Sequence, residues 1–186
     1  MGFQTRRALG ALLATLVGAC AHDRPLSRWE RAGVRVIDGT PQLNEVEIGL
    51  GRTPCFGACP VYTLRLLGSG LLIYEGEMFV KSKHERRFTF EPERLLPLLE
   101  GFERLDFLGQ DHHCNAAVAD LPSACLTLRI GRRSRTVCDP FCESVGLSPE
   151  ARAREAEWHR KAQELAQAID TFANIEVLIG TEDERR

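Results

Sequence analysis

Apolar and polar positions alternate with a period of two from Glu45 to Leu50. That period predicts a strand with Val46, Ile48 and Leu50 on its buried side. It recurs over 61–67, where Tyr62, Leu64 and Leu66 oppose Val61, Thr63 and Arg65. Gly68-Ser69-Gly70 reads as a hairpin turn, with a return strand from Leu71 to Tyr74 that Gly76 ends. Met78-Phe79-Val80 and Phe88-Thr89-Phe90 predict two short strands, or one hairpin, with the basic run Lys81 to Arg87 at its tip. Leu126, Leu128 and Ile130 alternate with Cys125, Thr127 and Arg129, and Gly131 to Ser134 turns that strand back into Thr136-Val137-Cys138. Ile175 to Ile179 predicts a last strand.

Twice the period lengthens to that of a helix. Leu95, Leu98, Leu99, Phe102 and Leu105 share one helical face. Glu91-Pro92-Glu93 suits its start, because proline fits the first turn and acids suit the positive end of the dipole. Pro97 lies deeper, which predicts a kink or a late start. Ser148-Pro149 caps a second, longer helix with a narrow stripe of Trp158, Ala162, Leu165, Ile169 and Phe172. Its polar first turns, Ala151 to Glu157, are expected to stand off the body, and Trp158 to join the core. Asp106 to Ser123 and Asp139 to Gly146 show no period and read as loops. Strands grouped by hairpins and followed by helices predict an α+β fold: a single domain with an antiparallel β-sheet and two helices packed on one face.

The N-terminus does not belong to that pattern. Arg6 and Arg7 precede an apolar run from Ala8 to Ala19, and Cys20 follows. A charged start before a short apolar run is the form of a secretory signal. The run is too short to cross roughly 30 Å of hydrocarbon as a helix. Val17-Gly18-Ala19-Cys20 resembles the lipobox of bacterial lipoproteins, in which the cysteine is acylated and becomes the mature N-terminus. The rival reading is ordinary cleavage after Ala21, since Ala19-Cys20-Ala21 also fits a small-x-small site. Ala21 directly after the cysteine resembles lipoproteins sorted to the outer membrane. The expected organisation is a signal peptide over 1–19, a tether over 20–42, an α+β domain over 43–180 and a charged tail over 181–186. Glycine and proline at Pro25, Gly33, Gly39 and Pro41, without periodicity, support the tether.

Composition narrows the function without naming one. The 186 residues are 44% apolar and 27% charged, as in an ordinary globular protein. The formal net charge is −2, and loss of residues 1–19 with their two arginines makes it −4. No basic excess favours nucleic acid as a partner. Of seven cysteines, Cys20 is the lipid candidate, which leaves Cys55, Cys59, Cys114, Cys125, Cys138 and Cys142. An even number in an oxidising compartment reads first as disulfides. Fifteen connectivities are open to six cysteines. Local pairing is the leaning: Cys55 with Cys59, Cys114 with Cys125, Cys138 with Cys142.

Other chemistries fit these cysteines less well. Two C-x₃-C pairs, with His112, His113 and Cys114 nearby, fall within zinc-ligand spacing, but export disfavours a thiolate site. Redox motifs use C-x-x-C at a helix start, whereas here the spacing is longer and a strand follows. Covalent haem needs a histidine after the second cysteine, where Pro60 and Glu143 stand. Asp111, His112 and Asp120 could serve a hydrolase, yet no nucleophile elbow accompanies them. No residue is therefore assigned to catalysis, to a cofactor or to a metal. Lys81 to Arg87, and the group Arg129, Arg132, Arg133 and Arg135, are candidates for anionic lipid or glycan.

Arg52 to Tyr62 reads R-T-P-C-F-G-A-C-P-V-Y. It resembles the opening of a bacterial domain-of-unknown-function family with the pattern C-F-G-x-C-P-x-Y, a G-x-G turn and an aromatic strand ending in glycine. Gly68, Gly70, Tyr74 and Gly76 stand where that pattern wants them, and Asp120-Leu121-Pro122 resembles a later D-x-P piece. The likeness spans roughly Val46 to Phe172. It implies a bacterial envelope protein and carries no established activity. The resulting expectation is a non-enzymatic envelope lipoprotein, held to the membrane through lipid on Cys20 and facing the periplasm, with a binding or structural role. One alternative is a thiol- or metal-dependent site at the Cys55/Cys59 turn. The other is an inhibitor or adaptor whose charged hairpin docks an envelope protein.

Overall fold

The computed structural model describes residues 27–37, 40–109, 123–139 and 148–185. The signal and lipobox, Asp111 to Cys114, Asp120 to Pro122 and Cys142 lie outside them.

Six strands form one antiparallel sheet. They are β3 (Val46–Arg52), β4 (Val61–Leu67), β5 (Leu71–Met78), β6 (His84–Thr89), β7 (Ala124–Ile130) and β8 (Arg133–Asp139), in the order β6-β5-β4-β3-β7-β8. The first four follow one another as a meander away from β3, and β7 returns to the other side of β3. Register brings the alternating apolar positions level across the sheet: Leu50 lies opposite Leu64 and Leu126, and Ile48 opposite Leu66 and Leu128. All six are essentially buried. The opposite face carries Glu47, Thr63, Arg65, Thr127 and Arg129, so one face is dry and one is wet.

The helices cover the dry face, giving an α+β domain. Of these, α2 (Leu96–Arg104) follows a short 3₁₀ turn, Pro92–Leu95, and α3 (Pro149–Phe172) is the long one. Leu95, Leu98, Leu99, Phe102 and Leu105 are all buried, as are Trp158, Ala162, Leu165 and Ile169. Pro97 therefore resolves as a late start: it sits in the first turn of α2, where its missing N–H would have no partner anyway. Gly101 allows α2 and α3 to approach, since a Cβ there would sit 2.7 Å from Leu165. The indole of Trp158 donates to the Leu105 carbonyl at 3.1 Å, so its polar edge is satisfied as its ring is buried.

Three expectations change. Within the expected tether, residues 27–37 and 40–42 are folded. Helix α1 (Arg28–Ala32) starts in a capping box between Ser27 and Glu30 and ends at Gly33, whose φ of +94° closes the helix. A two-residue pair, β1 (Val36–Ile37) with β2 (Thr40–Pro41), follows. Trp29, Val34 and Leu43 enter the main core, so the domain takes in residues before 43. Turn residues read as a linker because three apolar anchors spread over fifteen positions have no period.

The expected strand Ile175–Ile179 is instead a helix, α4. Asn174 takes a positive φ and turns the chain out of α3. Ile175 and Leu178, three apart, then face inward, while Val177 points out. Five mostly apolar residues fit either period; in the helix the Leu178 and Ile179 carbonyls accept from the Ser82 and Lys81 amides.

Likewise, the basic run is not a hairpin tip. Only residues 79–83 turn; His84 to Arg87 are strand residues of β6, paired with β5 from Gly76 to Ile73. Tyr74 fixes that turn by donating from its buried hydroxyl to the Ser82 carbonyl at 2.9 Å.

Candidate functional site

The β3–β4 connection holds the motif that the sequence singles out. Arg52 ends β3, Val61 begins β4, and no charged residue occurs from Thr53 to Thr63. Cys55 and Cys59 form a disulfide across the loop. Gly57 has a φ of +142°, a conformation open mainly to glycine. The bridge and the two flanking prolines, which restrict Thr53 and Cys59, hold Phe56 outward, 97% exposed.

Both stems of the loop are fixed to the body. Arg52 and Tyr62 are direct cross-strand partners and point to the helical side of the sheet. Asp170 near the end of α3 meets both. Its Oδ2 accepts from Arg52 at 2.5 Å and its Oδ1 accepts from the Tyr62 hydroxyl at 2.7 Å. Beside them, the Thr53 amide donates to the Ser123 carbonyl at 3.1 Å, and the Ser123 amide donates back to Thr53 Oγ1 at 2.9 Å. That exchange ties the loop to the entry of β7.

Electrostatics make this a clamp rather than an acid–base pair. Burial, then the neighbouring Asp170 carboxylate, push the Tyr62 hydroxyl far above its ordinary range. It keeps its proton and donates it. Burial is the largest influence on Arg52 and works against its charge, but the Coulombic pull and hydrogen bond of Asp170, together with Tyr62, outweigh it and raise its value. A permanent cation and a permanent donor thus share one carboxylate, a charge-assisted arrangement stronger than neutral hydrogen bonds.

The other cysteines pair differently from the local expectation. Cys125 is bridged to Cys138, its direct partner across β7 and β8. That bond excludes the expected pairs Cys114 with Cys125 and Cys138 with Cys142. The register decides it: facing positions on adjacent strands bring Cβ atoms close, whereas sequence spacing ignores the turn between them. Cys20, Cys114 and Cys142 lie outside the described residues. Among the described residues, no three His, Cys, Asp or Glu side chains gather as a metal-ligand set.

The basic candidates do not form one patch. Arg129 and Arg65 both clasp Glu47 on the wet face. Arg135 lies on the other side of the sheet, where it donates to the Phe107 carbonyl at 3.1 Å. A period of two sends neighbouring arginines to opposite faces. In the Lys81–Arg87 run, Lys81 pairs with Glu184 and Arg87 with Glu85.

Nothing in the sequence marks Asp170, the residue that completes the clamp; it lies one position after the buried Ile169 and reads there as a polar residue beside an apolar stripe. No curated protein matches the chain. A family model does match, over residues 46–169, from the start of β3 to Ile169 of α3. That stretch is two thirds of the 186 residues and includes the bridged loop, so the chain belongs to the DUF6438 family, a domain of unknown function.

Proposed function

We propose that this chain is a non-enzymatic binding or structural domain of the bacterial envelope, exported and held to a membrane by lipid on Cys20. The observation that carries the binding role is Phe56. A large apolar side chain, 97% exposed, is displayed by a disulfide-closed loop whose stems are locked by Asp170 and Ser123. An exposed aromatic on a rigid support loses little freedom on docking, which is how interface anchors gain affinity. The Val17–Cys20 lipobox supports the tether, and the bridges at Cys55–Cys59 and Cys125–Cys138 suit an oxidising compartment.

The two parts are tested separately. Palmitate labelling in cells is expected to reach the protein and to vanish in Cys20→Ala; labelling that persists in that variant would sink the tether. A photo-crosslinking residue at position 56 is expected to give a discrete adduct in the envelope, with none from a control at Thr136. Equal adducts at both sites, or none, would remove the docking role.

A second reading comes from exposure. Cys55 and Cys59 are both partly accessible, so a reductant can reach their bridge and open a thiol pair. Two alkylated cysteines in protein isolated from the envelope without reductant would favour a thiol- or metal-dependent site there. Full oxidation would count against it.

A further inference from the structure

A second surface stands apart from the bridged loop, at the free edge of the sheet. Among the described residues β6 has β5 as its only strand neighbour, and all six residues of β6 are exposed. Beside it runs a groove of about 210 Å³, floored by Leu72 and Leu178 and walled by Phe88, Phe90, Phe172 and Val177. A cavity of about 150 Å³ accepts a benzene-sized group, so the groove has room for one large apolar side chain. Phe88 is 44% exposed and Val177 63% exposed on its rim.

Among the described residues, no acid lines this groove. Arg94 is the only charged residue among those that line it, and its guanidinium lies 4.6 Å above the Phe172 ring. Arg86 shares the groove-facing side of β6, because its cross-strand partner Tyr74 and that of Phe88, Leu72, both point into the core. Among the described residues, Lys83, Arg86 and Arg94 are paired with no carboxylate. Glu85, the one acid of β6, is held by Arg87 on the other face.

We infer that the β6 edge and its groove bind an extended acidic peptide that adds to the sheet as a seventh strand. Main-chain hydrogen bonds to β6 would supply the affinity, and alternate side chains the choice of sequence. In an added strand, side chains on one face recur every second residue, roughly 7 Å apart. One apolar side chain fills the groove against Phe88 and Val177. A carboxylate two residues away meets Arg86, and Arg94 takes a second on the far side of the groove. Cations along an edge also serve to repel stray strands. That role alone would not leave Phe88 exposed near the end of the edge strand, opening onto an apolar groove. An anionic lipid surface would satisfy the cations but has no use for a groove one side chain wide.

The inference uses a surface separate from Phe56 and does not depend on the lipid tether. Its test uses the oxidised mature chain and a displayed library of random short peptides. Enriched peptides are expected to share a large apolar residue with an acidic one two positions away. Their affinity is expected to fall about tenfold in Arg86→Glu and in Val177→Asp, and to weaken as salt rises, while Phe56→Ala leaves it unchanged. Arg86 and Val177 are both exposed, and a thermal melt checks that each variant folds. Failure to enrich any peptide, or enriched peptides that bind the folded Arg86→Glu and Val177→Asp variants as well as wild type, would overturn the inference. So would binding to vesicles of anionic phospholipid that depends on the same two residues and is not competed by peptide.

Discussion

At the end of the sheet that bears the Cys55–Cys59 loop, the described polar groups serve the fold. Arg52, Tyr62 and Asp170 satisfy one another, Thr53 and Ser123 exchange hydrogen bonds, and the loop itself carries no charge. At the β6 edge the reverse holds. Among the described residues Lys83, Arg86 and Arg94 have no carboxylate partner, and aromatic rings stand exposed beside them. The first region invests its electrostatics in holding a backbone still. The second keeps its charges for solvent or for a ligand. Both present apolar groups to water, but one does so as a knob and the other as a groove, and only the knob has been immobilised.

If that contrast is right, the same kind of substitution should cost much at one region and little at the other. The largest effect is expected for Asp170→Ala. It leaves the buried Tyr62 and the half-buried Arg52 without their acceptor and should lower stability by about 2–3 kcal/mol in urea unfolding. A change below about 0.5 kcal/mol would mean the clamp is not structural.

Replacing both Cys55 and Cys59 by serine comes next. Closing so short a loop is worth about 2 kcal/mol in the chain-entropy picture. The loss should be accompanied by faster amide exchange confined to the loop. Exchange that spreads through β3 and β4 would show that the bridge supports the sheet and does more than fix Phe56.

A smaller effect is expected at alkaline pH. The Tyr62 value is raised in the folded state above its ordinary 10. The folded protein therefore holds this proton more tightly than the unfolded chain does. The contribution is complete below pH 10 and is lost as pH rises beyond it. Tyr74, which burial pushes up to about 12, adds to the same decline. Stability measured from neutrality upward should fall less steeply in Tyr62→Phe than in wild type; parallel curves would contradict the buried donor.

The smallest effect is expected at the β6 edge. Arg86→Glu and Lys83→Glu should each stay within about 0.5 kcal/mol of wild type, because neither exposed side chain has a partner among the described residues. Destabilisation comparable to Asp170→Ala would erase the contrast between the two regions.

Much of this architecture is legible in the chain. Strict alternation at Val46, Ile48 and Leu50 or at Leu126, Leu128 and Ile130 identifies buried strand faces, because a period of two has no other outlet once one face is dry. Leu95 to Leu105 does the same for a helix. Short segments were less readable. Ile175–Ile179 fits two periods, and Trp29, Val34 and Leu43 are too far apart to announce that they reach the core. The candidate site was half visible: the Cys55–Cys59 motif stands out in sequence, while Asp170, more than a hundred residues away, does not.

The sequence by itself determined the amphipathic elements, the polar wet face of the sheet and the even set of cysteines apart from Cys20. These are local properties: side-chain chemistry and spacing act over a few residues. Only the tertiary structure decided which distant groups meet. Strand order and register joined Cys125 to Cys138, and the packing of α3 on the sheet carried Asp170 to Arg52 and Tyr62. The turn at Asn174 laid α4 beside β6 and made the groove between them. Such contacts depend on the path of the whole chain, and no window of local sequence contains it.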